Sequence, residues 1–176
     1  MKSRSYHNPL HLRLDNQIYW ISASTWERKK IFSNSRKPIW VEVLKNLSKD
    51  PNRKLIAWVL LSNHYHLLIY LETEPGPSQF IKILHGTSSF LLNKEDRIRD
   101  RKVWYQYWDK CIRNEKDLYT RFNYIHNNPV KHSYVKSMDD YEYSSYNYYL
   151  NEFGSDWMQD VLESYPVIDF TPEELI

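Results

Sequence analysis

His64 and His66, separated by one tyrosine, are the residues in this sequence with the clearest potential for chemistry. They begin residues 64–71, an apolar and aromatic stretch that predicts a β-strand. Side chains two positions apart on a strand project from the same face, so both imidazoles point the same way. Two neighbouring imidazoles can bind one divalent cation if a third ligand comes from elsewhere in the chain. The alternative is that they are two polar side chains on a solvated face.

Tyr124 and Asn128 lie four residues apart on a predicted helix and therefore share one of its faces. A neighbouring face carries Leu118, Phe122 and Ile125 at the spacing of a buried stripe. A tyrosine can be a nucleophile and an amide oxygen can be a metal ligand, so one helical face could supply both to a single site. The alternative interpretation makes Tyr124 a packing residue and Asn128 the residue that ends the helix.

The elements that would position these residues follow the order β-α-β-β-α-β, with one more helix after them. The predicted strands cover residues 17–25, 54–61, 64–71 and 103–113. The predicted helices cover residues 38–48, a segment capped by Ser78, and the segment from Asn114 to Pro129. This order predicts an α+β protein with a ferredoxin-like antiparallel sheet, an additional tyrosine-bearing helix and a C-terminal extension. Both crossover helices would pack on the face opposite the histidines, which leaves the histidine face open.

Two further segments have a clear character. Residues 94–102 are almost wholly charged and predict a solvated loop. Asn114, with Asp117 three residues later, predicts a cap at the start of the tyrosine helix. Beyond Val130 the chain is rich in tyrosine and then acidic, which predicts irregular structure or short helices.

Composition restricts the class of protein. A length of 176 residues suits one domain of ordinary size. The three glycines are too far apart for a glycine-rich phosphate loop. The lone cysteine, Cys111, excludes an internal disulfide and a cysteine-based zinc cluster. The sequence shows neither a signal-peptide pattern nor an apolar run long enough to span a membrane, so we expect a cytoplasmic protein.

The formal charge of +2 hides an uneven distribution. Residues 150–176 hold seven acidic and no basic residues, so residues 1–149 carry a charge of +9. A basic surface favours a polyanionic partner, because Lys and Arg gain free energy by releasing phosphate counterions. We therefore divide the chain into a basic domain, 1–149, and an acidic tail, 150–176. The tail could cover the surface that binds the polyanion or act as a solubilising terminus, and we favour the second interpretation.

Two motifs carry a resemblance to a known family. Residues 60–69 read LLSNHYHLLI, and residues 124–131 read YIHNNPVK. Together they resemble the single-tyrosine transposases of the HUH superfamily, and within it the REP-associated tyrosine transposases of bacteria. The resemblance covers roughly residues 17–149 and implies that the basic domain is the catalytic domain of such an enzyme.

The resemblance implies a site, a mechanism and a partner. His64 and His66 would bind Mg²⁺ or Mn²⁺, and Asn128 would complete the metal site where many insertion-sequence relatives have glutamine. Tyr124 would attack a DNA phosphate and become joined to the 5′ end of the cut strand. The DNA would be single-stranded or hairpin-forming, like REP palindromes. The protein would be a nucleoid-associated monomer or homodimer in the bacterial cytoplasm, with no membrane partner.

Basic and aromatic residues near the motifs are candidate DNA contacts. Arg121 and Lys131 flank Tyr124, and Trp108 could stack on an unpaired base. The candidates in the charged segment are Arg97, Arg99, Arg101 and Lys102. The alternative is that the charged segment is simply solvated and that half of the aromatic residues around Trp108 belong to the core. His126 points about 200° away from Tyr124 at ~100° per residue, so we expect it to be structural or to face DNA.

Two other functions stay open at this point. One is a catalytically inactive, domesticated protein that binds a specific DNA sequence. The other is a rolling-circle initiator or a relaxase-type nicking enzyme. The intact set of His64, His66 and Tyr124 argues against the first. The histidines precede the tyrosine in this chain, which favours the transposase branch, because many relaxases place the tyrosine first.

Overall fold

The computed structural model describes residues 17–72 and 76–170, and this part of the chain forms four strands and four α-helices. The strands are β1 (Ile18–Thr25), β2 (Arg53–Leu60), β3 (His64–Leu71) and β4 (Trp104–Cys111). The helices are α1 (Lys37–Leu47), α2 (Pro77–Glu95), α3 (Glu115–Lys131) and α4 (Tyr146–Ser164). Short 3₁₀ turns occupy Trp26–Arg28 and Met138–Asp140. Among the helices of these two ranges, none is both long and apolar enough to cross a bilayer.

The four strands form one antiparallel sheet in the order β2-β3-β1-β4. The strands β2 and β3 form the predicted hairpin, and β1 lies in the middle of the sheet between β3 and β4. This arrangement confirms the predicted α+β class and the βαββαβ order of elements. It also places the start of β3, where His64 lies, beside the end of β1.

One face of the sheet packs against α1 and α2. Strand residues such as Ile21, Tyr65 and Leu67 are buried there together with Trp40 from α1 and Leu84 from α2. These strand residues alternate with the histidines along β3, so His64 and His66 point to the opposite face. The prediction that the histidines and the crossover helices lie on opposite faces is therefore confirmed.

The histidine face is not open, and the prediction that the helices leave it open is wrong. Helices α3 and α4 cover it, and a second apolar core forms from Trp20 and Leu68 of the sheet with Phe122 and Ile125 of α3. The reason lies in the strands themselves. Apolar residues of β2 and β3 point to both faces, as is typical of strands covered on both sides, and only another helical layer can bury them.

Two predicted helix ends are wrong. Helix α2 starts at Pro77 with Gly76 in the capping position, not Ser78. Gly76 has a φ of +78°, which glycine adopts without steric cost, and proline suits the first helical position. Helix α3 continues past Pro129 to Lys131. A proline in the last turn removes only one backbone hydrogen-bond donor, so the helix can continue for two residues beyond Pro129 before it ends.

The charged segment after α2 is shorter than predicted, and ion pairs hold part of it. Residues 94 and 95 belong to α2, and the carboxylate of Asp96 then forms ion pairs with Arg36 at 2.6 Å and Arg101 at 2.7 Å.

The predicted cap at the start of α3 is confirmed, because the Asn114 side chain accepts a hydrogen bond from the Asp117 backbone amide at 2.8 Å.

The segment after α3 closes the edge of the sheet. The Ser145 amide donates to the carbonyl of Trp58 in β2, and the Leu60 amide donates to the carbonyl of Tyr143. Helix α4 then runs through the boundary that we drew between residues 149 and 150. Tyr149 on one side of that boundary and Val161 on the other are buried in the same core, so this structure does not separate a domain from a tail there.

The first core contains a histidine that supports a prediction about stability. His85 stacks on Trp104 at 4.6 Å, and its Nε2 lies 2.8 Å from the Tyr65 hydroxyl. Burial lowers the pKa of His85 to about 3, from an ordinary value of about 6.5. The unfolded chain therefore binds a proton that the folded chain does not, and acidification from pH 6.5 toward pH 3 destabilises the fold.

We expect the loss of stability between pH 7 and pH 5 to be smaller in His85→Gln than in the wild type. The slope of the free energy of unfolding against pH should differ between the two proteins by up to about 1.4 kcal/mol per pH unit, which corresponds to one proton. Urea unfolding at a series of pH values measures it. Parallel slopes for the two proteins would show that His85 does not stay neutral in the fold.

Candidate active site

His64 lies between two asparagine side chains at the start of β3. Its Nδ1 is 2.8 Å from the Oδ1 of Asn63, and its Nε2 is 3.2 Å from the Oδ1 of Asn128. Asn63 belongs to the turn before β3, whereas Asn128 comes from the last turns of α3. The structure thus brings together the histidine and the amide that the sequence predicted to share a site.

His66 is buried between the sheet and α3. Its ring stacks on Trp20 with 4.9 Å between ring centroids, and it meets the ring of Tyr124 edge-on at 5.3 Å. The centroids of His64 and His66 lie 5.2 Å apart. The Nδ1 of His66 is buried without a hydrogen-bond partner in the described part of the chain, as is the Nδ2 of Asn128.

Tyr124 lies beside the histidine pair of its own chain. Its ring also contacts Trp20 edge-on at 5.6 Å, and only 5% of the residue is exposed. The predicted nucleophile, the two predicted histidine ligands and the predicted amide ligand therefore meet in one place, without a contribution from a second copy of the chain.

The donor set fits a divalent cation. In an octahedral site with bonds of ~2.1 Å, adjacent ligand atoms lie about 3 Å apart, close to the 3.2 Å between His64 Nε2 and Asn128 Oδ1. Burial, assisted by the nearby His132, lowers the pKa of His64 to about 4, and burial lowers the pKa of His66 well below its ordinary value. Both imidazoles are therefore neutral, as metal ligands must be. Within the described ranges, no cluster of three or more His, Cys, Asp or Glu side chains could hold a metal, so this set depends on the Asn128 amide.

A third histidine at this site was not predicted from the sequence. The ring of His132 lies 5.0 Å from that of His64. The signal was present, because residues 124, 128 and 132 follow the four-residue spacing of one helical face. It was missed because the helix was predicted to end at Pro129.

The region of the chain that matches a known protein family contains the proposed site residues. A family described as "Transposase IS200 like" matches residues 14–128, a region that contains His64, His66, Tyr124 and Asn128. The chain belongs to the IS200-like transposase family. This family assignment confirms the resemblance inferred from the two motifs.

Individual relatives of this IS200-like chain are also transposases. A protein of Haemophilus influenzae described as a REP-associated tyrosine transposase is 35% identical over 103 residues, which cover 52% of this chain. The matched region spans 58% of that relative's length. The REP-associated tyrosine transposase of Escherichia coli is 26% identical over 162 residues, covering 82% of this chain and 91% of the relative.

Two solved structures share the fold. The structure of a REP-associated tyrosine transposase bound to a REP hairpin superposes with a TM-score of 0.59 at 20% identity, covering 90% of this chain and 87% of the other. A protein of Deinococcus radiodurans assigned as a transposase superposes with a TM-score of 0.50 at 17% identity, covering 72% of this chain and 96% of the other.

Arg121, a predicted DNA contact in this IS200-like chain, lies inside the protein. It is 1% exposed, its Nε donates to Asp117 at 2.8 Å, and its guanidinium lies 4.9 Å from the Trp20 ring and 4.3 Å from the Phe170 ring. A cation in this position does not reach a DNA backbone at the surface. It packs α3 against β1 instead, so the expectation that Arg121 binds phosphate is corrected.

The other basic candidates divide into two groups. Arg101 forms its ion pair with Asp96 and also donates to Asn93, so it holds the loop together. Arg97, Arg99 and Lys102 are exposed, and the Lys102 ammonium lies 3.6 Å from the centre of the Trp26 ring. Only the exposed group is available to a large anion in this conformation.

Trp108 lies on the histidine face. It pairs with Ser22 of β1, and Ser22 pairs on its other side with His66, so the three side chains form a row across the sheet.

Two other aromatic candidates are structural. Trp104 is buried against His85 and belongs to the core. His126 is buried too, with its Nε2 2.8 Å from the hydroxyl of Ser145, which supports the structural interpretation of that residue.

The C-terminal segment lies over Tyr124, so its described part is more than a solubilising terminus. The Phe170 ring meets the Tyr124 ring edge-on at 5.0 Å. The carboxylate of Asp169 pairs at 2.6 Å with Lys131, whose ammonium lies 5.1 Å from the centre of the Tyr124 ring. Lys131 is thus next to the predicted nucleophile and is paired with an acidic residue of the chain's own C-terminal segment.

We expect Phe170→Ala to increase the chemical accessibility of Tyr124, because the substitution removes the ring that covers it. Nitration by tetranitromethane, followed by peptide mass spectrometry, measures the modified fraction at each tyrosine, and we expect a rise of at least about threefold at Tyr124. Ile168→Ala is the matched control, since Ile168 is already 46% exposed. Equal nitration of Tyr124 in both variants would contradict the covering role of Phe170.

Proposed function

We propose that this protein is a metal-dependent endonuclease and strand transferase that acts on single-stranded, hairpin-forming DNA through a 5′-phosphotyrosine intermediate. The observation that carries the proposal is the meeting of Tyr124 with His64, His66 and Asn128 of the same chain. The family assignment and the REP hairpin named for the structural relative support DNA as the substrate.

The covalent step uses the phenolic oxygen of Tyr124. This oxygen forms a bond to a backbone phosphorus, the bond from that phosphorus to the 3′ oxygen breaks, and the 3′ oxygen leaves as a hydroxyl after taking up a proton. The tyrosine remains joined to the 5′ end of the cut strand through a phosphodiester. Because that bond conserves the energy of the original linkage, another 3′ hydroxyl can attack it and rejoin the DNA.

The surrounding residues bind and orient the reacting groups. His64, His66 and Asn128 would hold Mg²⁺ or Mn²⁺, which when bound supplies Lewis-acid stabilisation of the charge on the phosphate. Trp20 fixes both His66 and Tyr124 by ring contacts. The Lys131 ammonium lies 5.1 Å from the centre of the Tyr124 ring, so a phosphate held beside Tyr124 would be close to this positive charge.

The charge and the exposed side chains of this protein are compatible with DNA. Residues 1–149 carry a charge of +9, and Arg97, Arg99 and Lys102 are exposed basic residues among them. Trp108 is half-buried on the histidine face, where its ring is available for stacking on an unpaired base. The four proposed site residues meet within one chain, which supports a reaction carried out by a monomer in the bacterial cytoplasm.

We expect Tyr124→Phe to abolish the covalent adduct while leaving DNA affinity within about twofold of wild type. A hairpin oligonucleotide labelled on the 3′ side of the cut reports the adduct as a slower band on a denaturing gel, and we expect a loss of at least ~10³-fold. Tyr119→Phe, on the same helix but away from the histidines, is the matched control and should retain adduct formation. An adduct formed by Tyr124→Phe would identify another nucleophile. Tight DNA binding without any adduct in the wild type would instead favour a domesticated DNA-binding protein.

Removal of divalent cations with EDTA should abolish the adduct, and Mg²⁺ or Mn²⁺ should restore it. We expect Asn128→Ala to raise the Mn²⁺ dissociation constant at least about tenfold, as measured by electron paramagnetic resonance, because it removes one oxygen ligand. The neighbouring Asn127→Ala is the control. Equal Mn²⁺ affinities for the two variants would exclude Asn128 as a ligand.

A further inference from the structure

Asn63 makes two hydrogen-bonded contacts with its side-chain amide. The Nδ2 donates to the backbone carbonyl of Arg28 at 3.2 Å, and the Oδ1 lies 2.8 Å from the Nδ1 of His64. The backbone of Asn63 is also fixed, because its carbonyl accepts from the Thr25 amide at 2.8 Å. One residue therefore ties the end of β1 to the first of the two candidate metal ligands.

These contacts determine which way the amide faces. A backbone carbonyl can only accept hydrogen bonds, so the NH₂ group of Asn63 must face Arg28. The oxygen of the amide is then left for His64, and an amide oxygen also only accepts. The Nδ1 of His64 must therefore carry the hydrogen of this contact.

The turn that holds the amide is itself unusual. Glu27 and Arg28 both adopt left-handed backbone conformations, with φ values of 54° and 53°, which non-glycine residues rarely adopt. Such conformations persist only where the surroundings enforce them. The hydrogen bond from Asn63 Nδ2 to the Arg28 carbonyl is one of these enforcing contacts, and it keeps the amide from turning over.

The consequence appears at the other nitrogen of His64. In a neutral imidazole with hydrogen on Nδ1, the Nε2 carries a lone pair. That lone pair and the oxygen of Asn128 then converge from 3.2 Å apart, an arrangement that a shared cation satisfies. The opposite tautomer would place hydrogen on Nε2, donate it to Asn128, and occupy the nitrogen that a metal needs.

We propose that Asn63 is a positioning residue that locks His64 in the Nδ1–H tautomer and so keeps Nε2 free to bind the catalytic metal. This inference rests on the proposed function, and it adds a residue that touches neither the metal nor the DNA. Partners that fix the tautomer of a ligating histidine typically contribute 10–100-fold to metal affinity.

Nitrogen-15 NMR of the metal-free protein, labelled at histidine, tests the proposal directly, because protonated and unprotonated ring nitrogens have well-separated shifts. We expect wild-type His64 to carry hydrogen on Nδ1. Asn63→Ala removes the acceptor and should move His64 toward the Nε2–H tautomer, with Mn²⁺ binding weakened roughly 10–100-fold. Asn63→Asp keeps an acceptor oxygen and should retain the Nδ1–H tautomer and most of the Mn²⁺ affinity.

The controls separate this inference from the proposed function. The ring signals of His85, which lies on the other side of the sheet, should be unchanged in folded variants. Hydrogen on Nε2 in the wild type overturns the role of Asn63 even if Asn63→Ala fails to fold, and leaves the phosphotyrosine mechanism standing. An Asn63→Ala variant that keeps the Nδ1–H tautomer overturns it as well. A wild type with the expected tautomer but no Mn²⁺ binding would overturn both the metal dependence and the positioning role.

Discussion

The packing of α3 against the histidine-bearing face of the sheet is the contact on which the rest of this structure depends. Trp20, fully buried at the centre of β1, is the core of that contact and touches His66, Tyr124 and Arg121 at once. Without α3 in this position, Asn128 would not reach His64, and the large apolar surface of the strands would face water. Stability and the candidate chemistry therefore rely on the same buried surface.

Local periodicity was enough to predict which candidate residues share a face, whereas the resemblance to the transposase family supplied their proposed roles. Alternation along a strand puts His64 and His66 on one face, and the helical repeat puts Tyr124 and Asn128 on another, whatever the rest of the chain does. The buried position of Arg121 could not be predicted in this way, because it depends on Trp20 and Phe170, which are distant in sequence. The covered histidine face was predictable in principle from strand residues that are apolar on both faces.

The site combines two neutral imidazoles and an amide with a tyrosine, whose phenol is a weak nucleophile until it loses its proton. Burial keeps the imidazoles neutral, Trp20 contacts the rings of His66 and Tyr124, and the Asn63 oxygen accepts from His64 Nδ1 while the Asn128 oxygen lies 3.2 Å from Nε2. Each of these contacts is made by residues of the chain itself. If the proposed reaction takes place here, groups that are already fixed need little reorganisation, and this is the condition under which electrostatic stabilisation of a transition state is largest.

The residues that lie over the proposed nucleophile, Tyr124, come from a different stretch of the sequence than the other proposed site residues. The family match ends at Asn128, whereas Asp169 and Phe170, which lie over Tyr124, are contributed by the chain well beyond it. Substitutions in the C-terminal segment could thus tune how often the tyrosine is exposed without altering any ligand or the tyrosine itself.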